Sequence, residues 1–171
     1  MEKSGPSGPR RAGGVGCLEE VSAGVLRGNH PARIDDKGRL KVPNSFRQLV
    51  EAQWGTELFV TSVTGDFVRV YPMGVWLEIE RKLAEVPSTH PSKLRFLDRV
   101  NFFGQAVAID RQGRVLVPQL LRESAAMVGE VSVLGLQNHL AVWNFKRLQD
   151  RLFKKEPFTD EDGRLLAEYG I

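Results

Sequence analysis

The chain has 171 residues, which suits one ordinary domain or two very small ones. Its 42% hydrophobic and 26% charged residues are typical of a globular protein and exclude a fibrous or wholly disordered chain. The single cysteine, Cys17, excludes an intramolecular disulfide and a cysteine-rich zinc site, and no run approaches the ~18 apolar residues that cross a bilayer. The formal net charge of +3 is too small to indicate a partner until its location is known.

Residues 1–28 are predicted to form a disordered tail. They contain seven of the chain's 17 glycines, together with Pro6 and Pro9. Such a segment loses much backbone entropy on ordering and has little apolar surface to bury in return. The stretch after Arg10 lacks the apolar run of a secretion signal, so we expect a protein of the cytoplasm.

The chain contains an internal duplication. Residues 34–47 read IDDKGRLKVPNSFR and residues 109–122 read IDRQGRVLVPQLLR, so that seven of fourteen positions are identical at a fixed offset of 75. The similarity continues into two later pairs of apolar segments, which are 58–61 with 131–134 and 68–71 with 140–143. Each copy is too small to bury a good core alone, and the two copies are therefore predicted to share one core.

Each copy is predicted to have the order strand, tight turn, strand, helix, strand, strand. Gly38 and Gly113 supply the positive φ of the turn. The second strand lies at 39–42 or 114–117, and the proline that ends it suits the first turn of a helix. Apolar residues at helical spacing then follow, which are Phe46, Leu49 and Val50 in the first copy and Leu121 and Ala125 in the second.

Further helices are predicted between the copies and after the second copy. The first has an apolar stripe formed by Trp76, Ile79, Leu83 and Val86. Ser92 is predicted to cap the next helix, and Asn144 caps one after the second copy. Thr159 and Asp162 have the spacing of a capping box at the start of a last short helix.

The basic excess of the chain lies in the duplicated turns. Residues 34–47 carry four basic and two acidic side chains, and residues 109–122 carry three and one, so each segment has a charge of +2. Residues 150–171, with four basic and six acidic side chains, conceal this excess in the total. One interpretation is structural: an ion pair between the aspartate and the arginine of each turn clamps the hairpin and contributes about 0–1 kcal/mol.

A basic turn at the tip of a two-stranded ribbon is also suited to double-stranded DNA. Such a ribbon fits the major groove, where arginine binds guanine through two hydrogen bonds and lysine neutralises phosphate. The residues predicted to contact DNA are Lys37, Arg39, Arg111 and Arg114. Both interpretations can hold at once, because other residues of the turn fix its backbone; these are Asp35, Gly38, Asp110 and Gly113.

These segments resemble the MraZ family of bacterial transcriptional regulators, which have two SpoVT/AbrB-like domains in tandem. The motifs are D-x-K-G-R-L-x-V-P-x-x-F-R in the first copy, D-x-x-G-R-V-x-V-P-x-x-L-R in the second, and Val70-Tyr71-Pro72 with Trp76 between them. The similarity covers roughly residues 29–155. It implies an α+β fold in which the tandem copies form an AbrB-like swapped-hairpin β-barrel with peripheral helices, and it associates the matching Lys37 and Arg39 with DNA contact.

The resemblance also divides the chain. The expected parts are a tail at 1–28, a first SpoVT/AbrB-like domain at 29–75, connecting helices at 76–103, a second such domain at 104–147 and a helical tail at 148–171. Two features depart from the family: the extra residues 1–28, and Pro31, which lies where the first strand should begin and weakens that edge.

The implied function is sequence-specific binding to DNA as a ring-like homo-oligomer. The expected targets are direct repeats upstream of the division and cell wall gene cluster, including the protein's own promoter, in a cytoplasmic, nucleoid-associated setting. The alternative is an AbrB-like protein-interaction module, such as an antitoxin that covers a toxin. That function favours a long apolar interaction tail, whereas residues 156–171 are short and acidic.

Enzyme functions are poorly supported by the sequence. His30, His90 and His139 are isolated from one another, so a metal site is not expected. Asp35 and Asp36 are neighbours and would point apart on a strand, which argues against an acid–base pair. With no P-loop or dinucleotide-binding motif, we expect no catalytic residue, cofactor, metal, membrane contact or small-molecule substrate.

Overall fold

The computed structural model describes residues 24–171; the greater part of the expected tail, residues 1–23, lies outside this range. The strands, in chain order, are β1 Leu26–Arg33, β2 Arg39–Lys41, β3 Glu57–Thr61, β4 Val68–Pro72, β5 Gln105–Ala108, β6 Arg114–Leu116, β7 Glu130–Gln137 and β8 Leu140–Asn144. The α-helices are α1 Asn44–Trp54, α2 Met73–Ala84, α3 Pro91–Phe103, α4 Gln119–Ser124, α5 Phe145–Asp150 and α6 Asp160–Ala167, and a π-helical turn at Arg151–Lys155 follows α5. The predicted α+β class is confirmed.

The predicted order of elements recurs in both copies of the repeat. The first copy runs β1, turn, β2, α1, β3, β4, and the second runs β5, turn, β6, α4, β7, β8. The strands form one six-stranded antiparallel sheet, in the order β1-β7-β8-β4-β3-β5, and one two-stranded sheet of β2 and β6.

Strands are exchanged between the two copies. β1 of the first copy pairs with β7 of the second, and β5 of the second pairs with β3 of the first. The strands that follow the two turns pair with each other, so that Leu40 of β2 lies opposite Val115 of β6. The two strands that flank a turn therefore do not pair with each other as a ribbon. Across the first turn, the described residues form an isolated bridge, which joins Ile34 to Leu40.

The exchange gives the two copies a common core. Leu40 and Val115 are 1% and 0% exposed, and they pack in one cluster with Phe46 of α1 and Leu121 of α4. Consecutive strand residues point to opposite faces of the sheet. Tyr71 therefore faces away from this core and packs with Trp76 beneath α2 and α3. The predicted sharing of one core is confirmed, and its physical cause is that the burial of each copy depends on strands of the other.

The first strand begins earlier than the sequence predicts. β1 starts at Leu26, inside the range expected to belong to the tail, and Leu26 is fully buried in the common core. Pro31 lies within β1, opposite Ser132. This proline is tolerated because β1 is an edge strand, whose outer side has no ladder that needs a backbone donor.

Helix caps agree with the sequence at two of three predicted positions. The Asn144 side chain accepts a hydrogen bond from the Arg147 backbone N–H at 3.2 Å, and Thr159 and Asp162 form the predicted capping box. Ser92 is not the cap of α3. Its backbone N–H instead donates to His90 Nδ1 at 3.2 Å, since the first helical position is taken by a proline and the cap moves before it.

Candidate nucleic-acid interface

The first turn is built around the carboxylate of Asp35. Its Oδ1 accepts hydrogen bonds from the backbone N–H groups of Lys37 at 3.0 Å and Arg39 at 2.9 Å, and its Oδ2 accepts one from Arg39 Nε at 2.8 Å. Gly38 has φ +79° and donates its N–H to the Asp35 carbonyl at 3.0 Å. The aspartate thus fixes the backbone and holds the arginine through the same carboxylate, while the glycine permits the positive φ.

The second turn repeats this arrangement. Asp110 Oδ1 accepts from the backbone N–H groups of Gln112 at 2.8 Å and Arg114 at 2.9 Å, and Oδ2 accepts from Arg114 Nε at 3.0 Å. Gly113 has φ +75°. The duplicated sequence therefore gives two turns with the same hydrogen bonds, so the predicted ion pairs of both turns are present in the structure.

These hydrogen bonds set the charge state of the two aspartates. Backbone donation from Arg39 is the largest cause that lowers the pKa of Asp35 below its ordinary value, followed among the lowering causes by the Arg39 side chain. Backbone donation from Arg114 does the same for the pKa of Asp110. Both carboxylates are ionised at neutral pH, and each offsets the charge of the arginine it holds.

Each turn is completed by the other copy of the repeat. The Val42 N–H donates to the Gly113 carbonyl at 2.9 Å, and the Val117 N–H donates to the Gly38 carbonyl at 2.9 Å. These two bonds extend the two-stranded sheet at both ends, so the turns lie at opposite ends of one short ladder. The second strand of each copy thereby supports the turn of the other.

Two arginines that the sequence analysis did not assign to the site also cross between the copies. Arg47 of α1 reaches the second turn, where its Nη2 donates to the Arg111 carbonyl at 3.5 Å. Arg122 of α4 lies against Gly38 of the first turn. The sequence contained a signal for this role, since the two positions hold the same residue in the aligned repeats. A helix position that only faces solvent is not expected to keep an arginine in both copies.

The two arginines differ in their surroundings. Arg47 Nε donates to Glu51 Oε1 at 2.8 Å. The aligned position for Glu51 in the second copy is Ala126, and Arg122 Nε is buried without a hydrogen-bond partner among residues 24–171. The two turns are therefore alike in backbone and unlike in their flanking charges.

The structure separates the four residues predicted to contact DNA into two kinds. Lys37 and Arg111 are exposed at the tips of their turns. Arg39 and Arg114 are held by the aspartates, with 28% and 26% of their side chains exposed. A guanidinium group has five N–H donors, so each arginine keeps its terminal nitrogens available while Nε is bound.

Lys41 is a further basic residue of this surface. Although it belongs to the first copy, its Nζ donates to the Gln112 carbonyl of the second turn. Its aligned position in the second copy is Leu116, which leaves the first turn without an equivalent lysine. Sequence order alone assigns this charge to the wrong turn, because the strand exchange carries Lys41 to the far end of the ladder.

Across residues 24–171, no group of three or more His, Cys, Asp or Glu side chains is placed to hold a metal ion. No helix of that part of the chain has both the length and the apolar character needed to cross a membrane.

Comparison with known proteins assigns the duplicated pattern. A family model described as "MraZ protein, putative antitoxin-like" matches residues 25–99 and 103–168, which between them contain both turns. The chain belongs to the MraZ family. A relative from Acidobacterium capsulatum is 46% identical over 147 residues, which cover 86% of this chain and 100% of the relative.

Two further MraZ relatives show similar coverage. One from Koribacter versatilis is 46% identical over 148 residues, or 86% of this chain and 100% of the relative, and one from Roseiflexus castenholzii is 38% identical over 146 residues, or 84% and 98%. All three relatives are named transcriptional regulator MraZ. The MraZ similarity therefore spans both copies of the repeat and both candidate DNA-contacting turns.

Proposed function

We propose that this MraZ family member is a transcriptional regulator that binds specific sequences of double-stranded DNA through its two basic turns. The observation that carries the proposal is the pair of aspartate-braced turns, which expose Lys37 and Arg111 at the two ends of one ladder. A backbone that is already held by hydrogen bonds loses little further entropy on binding. This is the property that recognition of a DNA groove requires.

The spacing of the turns supports contact with a groove. Gly38 and Val42 lie four residues apart on the strand that joins the turns, and Val42 is bonded to Gly113. At about 3.3 Å per strand residue, the two turn glycines are separated by about 13 Å along the strand direction. The major groove of B-DNA is about 12 Å wide, so one face of the ladder can present both turns to the same groove region.

The side chains fit two different tasks. Lys37, Arg111 and Lys41 are exposed and suit phosphate contact, which supplies affinity without sequence information. Arg39 and Arg114 are oriented by their aspartates and suit bidentate hydrogen bonding to guanine, which supplies specificity. The ion pair and the DNA contact therefore act together, because the aspartate orients the arginine that would contact the base.

A single chain has too few basic contacts for tight binding. The affinity of a protein for DNA depends on the number of phosphates it neutralises, and several linked copies bind spaced repeats by effective concentration. We accordingly propose a ring-like homo-oligomer acting on direct repeats upstream of the division and cell wall gene cluster, including its own promoter, in the nucleoid of the cytoplasm. The exchange of strands between the copies also supports a barrel of the swapped-hairpin type.

The antitoxin-like wording of the family description favours a second candidate, a module that binds another protein. The two candidates differ in the surface they use. DNA binding depends on the turns, whereas binding of a protein partner depends on exposed apolar side chains elsewhere. Variants of the turns therefore distinguish them.

The test is a binding titration by fluorescence anisotropy on DNA from upstream of the protein's own gene. We expect tighter binding than to a scrambled duplex, and a steep loss of affinity with salt. Lys37→Ala and Arg111→Ala should each lower the log–log salt slope by about 0.9, the value for one phosphate contact. Lys82→Ala, an exposed lysine on α2, is the matched control and should leave the slope unchanged. Equal affinity for the two duplexes would overturn the proposal.

A further inference from the structure

The two turns receive different cations from the opposite copy of the repeat. At the second turn, Lys41 of the first copy donates to the carbonyl of Gln112, next to the exposed Arg111, so two basic side chains flank this turn. The position aligned with Lys41 is Leu116, and the first turn therefore lacks a lysine at this place. A second phosphate contact at the first turn would need a cation from another element.

Arg122 of α4 brings a guanidinium group to the first turn. The atoms of Arg122 nearest to the position that a Cβ on Gly38 would occupy are Nη1, Cζ and Nε, so Nη2 is the nitrogen farthest from the turn glycine. Arg122 also lines an open cleft of about 400 Å³ that reaches Asp35 and Asp36. The half-buried guanidinium group is therefore part of the surface of the first turn, although it belongs to the second copy.

The charge of Arg122 lacks the partner that its aligned residue has. Arg47 donates from Nε to Glu51 Oε1 at 2.8 Å, whereas the residue aligned with Glu51 is Ala126. Within residues 24–171, the buried Nε of Arg122 donates no hydrogen bond. Keeping a partly buried charge without a partner is unfavourable. An anion that reaches the Nη groups of Arg122 would therefore be bound more favourably than one at Arg47.

The acidic side chains around Arg122 do not neutralise it. Asp35 is bound to Arg39, and Glu123 accepts a hydrogen bond from Gln119 Nε2 at 2.9 Å. Among the ion pairs formed by the described residues, none includes Arg122. The guanidinium group is thus free to meet an anion from outside the chain.

The tip of the first turn depends on this charge. Its residues Asp36 and Lys37 carry opposite charges, whereas the aligned residues of the second tip are Arg111 and Gln112. The aspartate–arginine pairs inside both turns are neutral overall. Arg122 therefore supplies the net positive charge of the first turn, which attraction of a phosphate requires.

We propose that Arg122 contacts a DNA phosphate at the first turn, in the role proposed for Lys41 at the second. Each turn then holds the DNA backbone through one exposed cation of its own tip and one cation from the other copy. A guanidinium group suits this task, because its hydrogen bonds to phosphate are charge-assisted. Arg47 does not share the role, because Glu51 holds its charge. This inference rests on the proposed DNA binding and adds a contact outside the tips of the two turns.

The test is an anisotropy titration of full-length variants on the upstream duplex at several salt concentrations. Arg122→Met keeps an unbranched side chain against Gly38 and should lower the log–log salt slope by about 0.9, the value for one phosphate contact. Arg122→Lys should restore most of the slope, because it returns the charge. Lys82→Met, at the exposed lysine of α2, is the matched control and should leave the slope unchanged.

Releasing Arg47 gives a second, independent measurement. Glu51→Gln removes the carboxylate that holds Arg47, whose Nη2 already reaches the Arg111 carbonyl at the second turn. The freed guanidinium group should then add a phosphate contact and raise the slope by about 0.9. Circular dichroism would verify that each variant keeps the fold.

The inference is overturned if folded Arg122→Met keeps the slope of the unaltered chain, or if Arg122→Lys does not raise a lowered slope, as a loss of packing alone would give. Should Arg122→Met fail to fold, Glu51→Gln decides, and an unchanged slope then overturns the inference. Phosphate contact is independent of base sequence, so the slope can be measured on the scrambled duplex as well. A failure of specific DNA binding is seen separately, as equal affinity of the unaltered chain for the two duplexes.

Discussion

The guanidinium group of Arg122, in the second copy of the repeat, lies against Gly38, in the turn of the first copy. The relationship is reciprocal, since Arg47 of the first copy lies against Gly113 of the second. The aspartate of each turn therefore fixes the shape of that turn, and an arginine from the other copy packs against it. The positive φ favours glycine at these two positions, and the arginine side chain packs where a Cβ would lie.

Gly38→Ala should destabilise the fold by more than the backbone strain alone. A Cβ at this position would overlap the Arg122 guanidinium, and the positive φ of +79° adds a cost of about 1–2 kcal/mol for a side chain. Gly129→Ala is the matched control, because Gly129 has φ +71° and nothing within 4 Å of the added Cβ. Urea denaturation should show a larger loss for Gly38→Ala; equal losses would mean that Arg122 moves aside at no cost.

Asp35→Ala and Asp35→Asn should differ. An asparagine oxygen can still accept the two backbone N–H groups of the turn but loses the ion pair with Arg39, whereas alanine loses both. We expect a lower urea midpoint for Asp35→Ala than for Asp35→Asn, and loss of specific DNA binding in both, since Arg39 is no longer aimed. Asp36→Ala, an exposed neighbour, is the control for charge. Equal midpoints would show that the ion pair, rather than the turn's backbone bonds, provides the stability.

Leu40→Ala should be strongly destabilising, by about 2–5 kcal/mol, because it leaves a cavity in the core that both copies share. Leu77→Ala, at a leucine of α2 that is 56% exposed, should change stability by much less. Guanidinium denaturation followed by circular dichroism would measure both. The transition of Leu40→Ala should remain a single one; two separate transitions would contradict a common core.

Lowering the pH should reduce the free energy of unfolding in two separate pH ranges. Burial, assisted by the charge of Arg69, lowers the pKa of His139 from 6.5 to about 4, so the unfolded chain takes up this proton first and stability falls as the pH drops from about 6.5 to 4. The full difference corresponds to about 3 kcal/mol, which partial exposure of the ring reduces to about 1–2 kcal/mol. The lowered pKa values of Asp35 and Asp110 stabilise the fold above about 3.8, and this contribution is lost as the pH falls through their folded-state pKa values.

The two windows can be separated by substitution. In urea titrations, His139→Gln should flatten the dependence of stability on pH between 6.5 and 4 and leave the lower window intact. Asp35→Asn with Asp110→Asn should do the reverse. His90→Asn, at an exposed histidine whose capping acceptor an asparagine oxygen can replace, serves as the control. A slope between pH 6.5 and 4 that survives His139→Gln would refute the assignment to this ring, which stacks on Tyr71 at 4.7 Å between centroids.

Much of the fold follows from local sequence signals. The positive φ of Gly38 and Gly113, the helices after Pro43 and Pro118 and the capping box of Thr159 are all set by chemistry within a few residues. Strand pairing is different, because the partner of a strand can lie anywhere in the chain. The pairing of β2 with β6, and the start of β1 at Leu26, depend on burial contributed by the distant copy. The cap of α3 was missed for a local reason, since Pro91 fits the first helical position better than Ser92 fits the cap.

The candidate site shows the same division. The sequence alone determined that there are two turns of one kind, that each holds an aspartate, a glycine and an arginine at fixed spacing, and that the basic excess lies there. The hydrogen bonds that form each turn join residues no more than four positions apart and need no partner from the rest of the chain. Only the tertiary structure decided that Lys41 serves the second turn, that Arg47 and Arg122 cross over, and that the turns lie at opposite ends of one ladder. The physical reason is the exchange of strands. A three-residue strand buries its central side chain only against the matching strand of the other copy, and this pairing places the charged residues at its ends beside the turn of that copy.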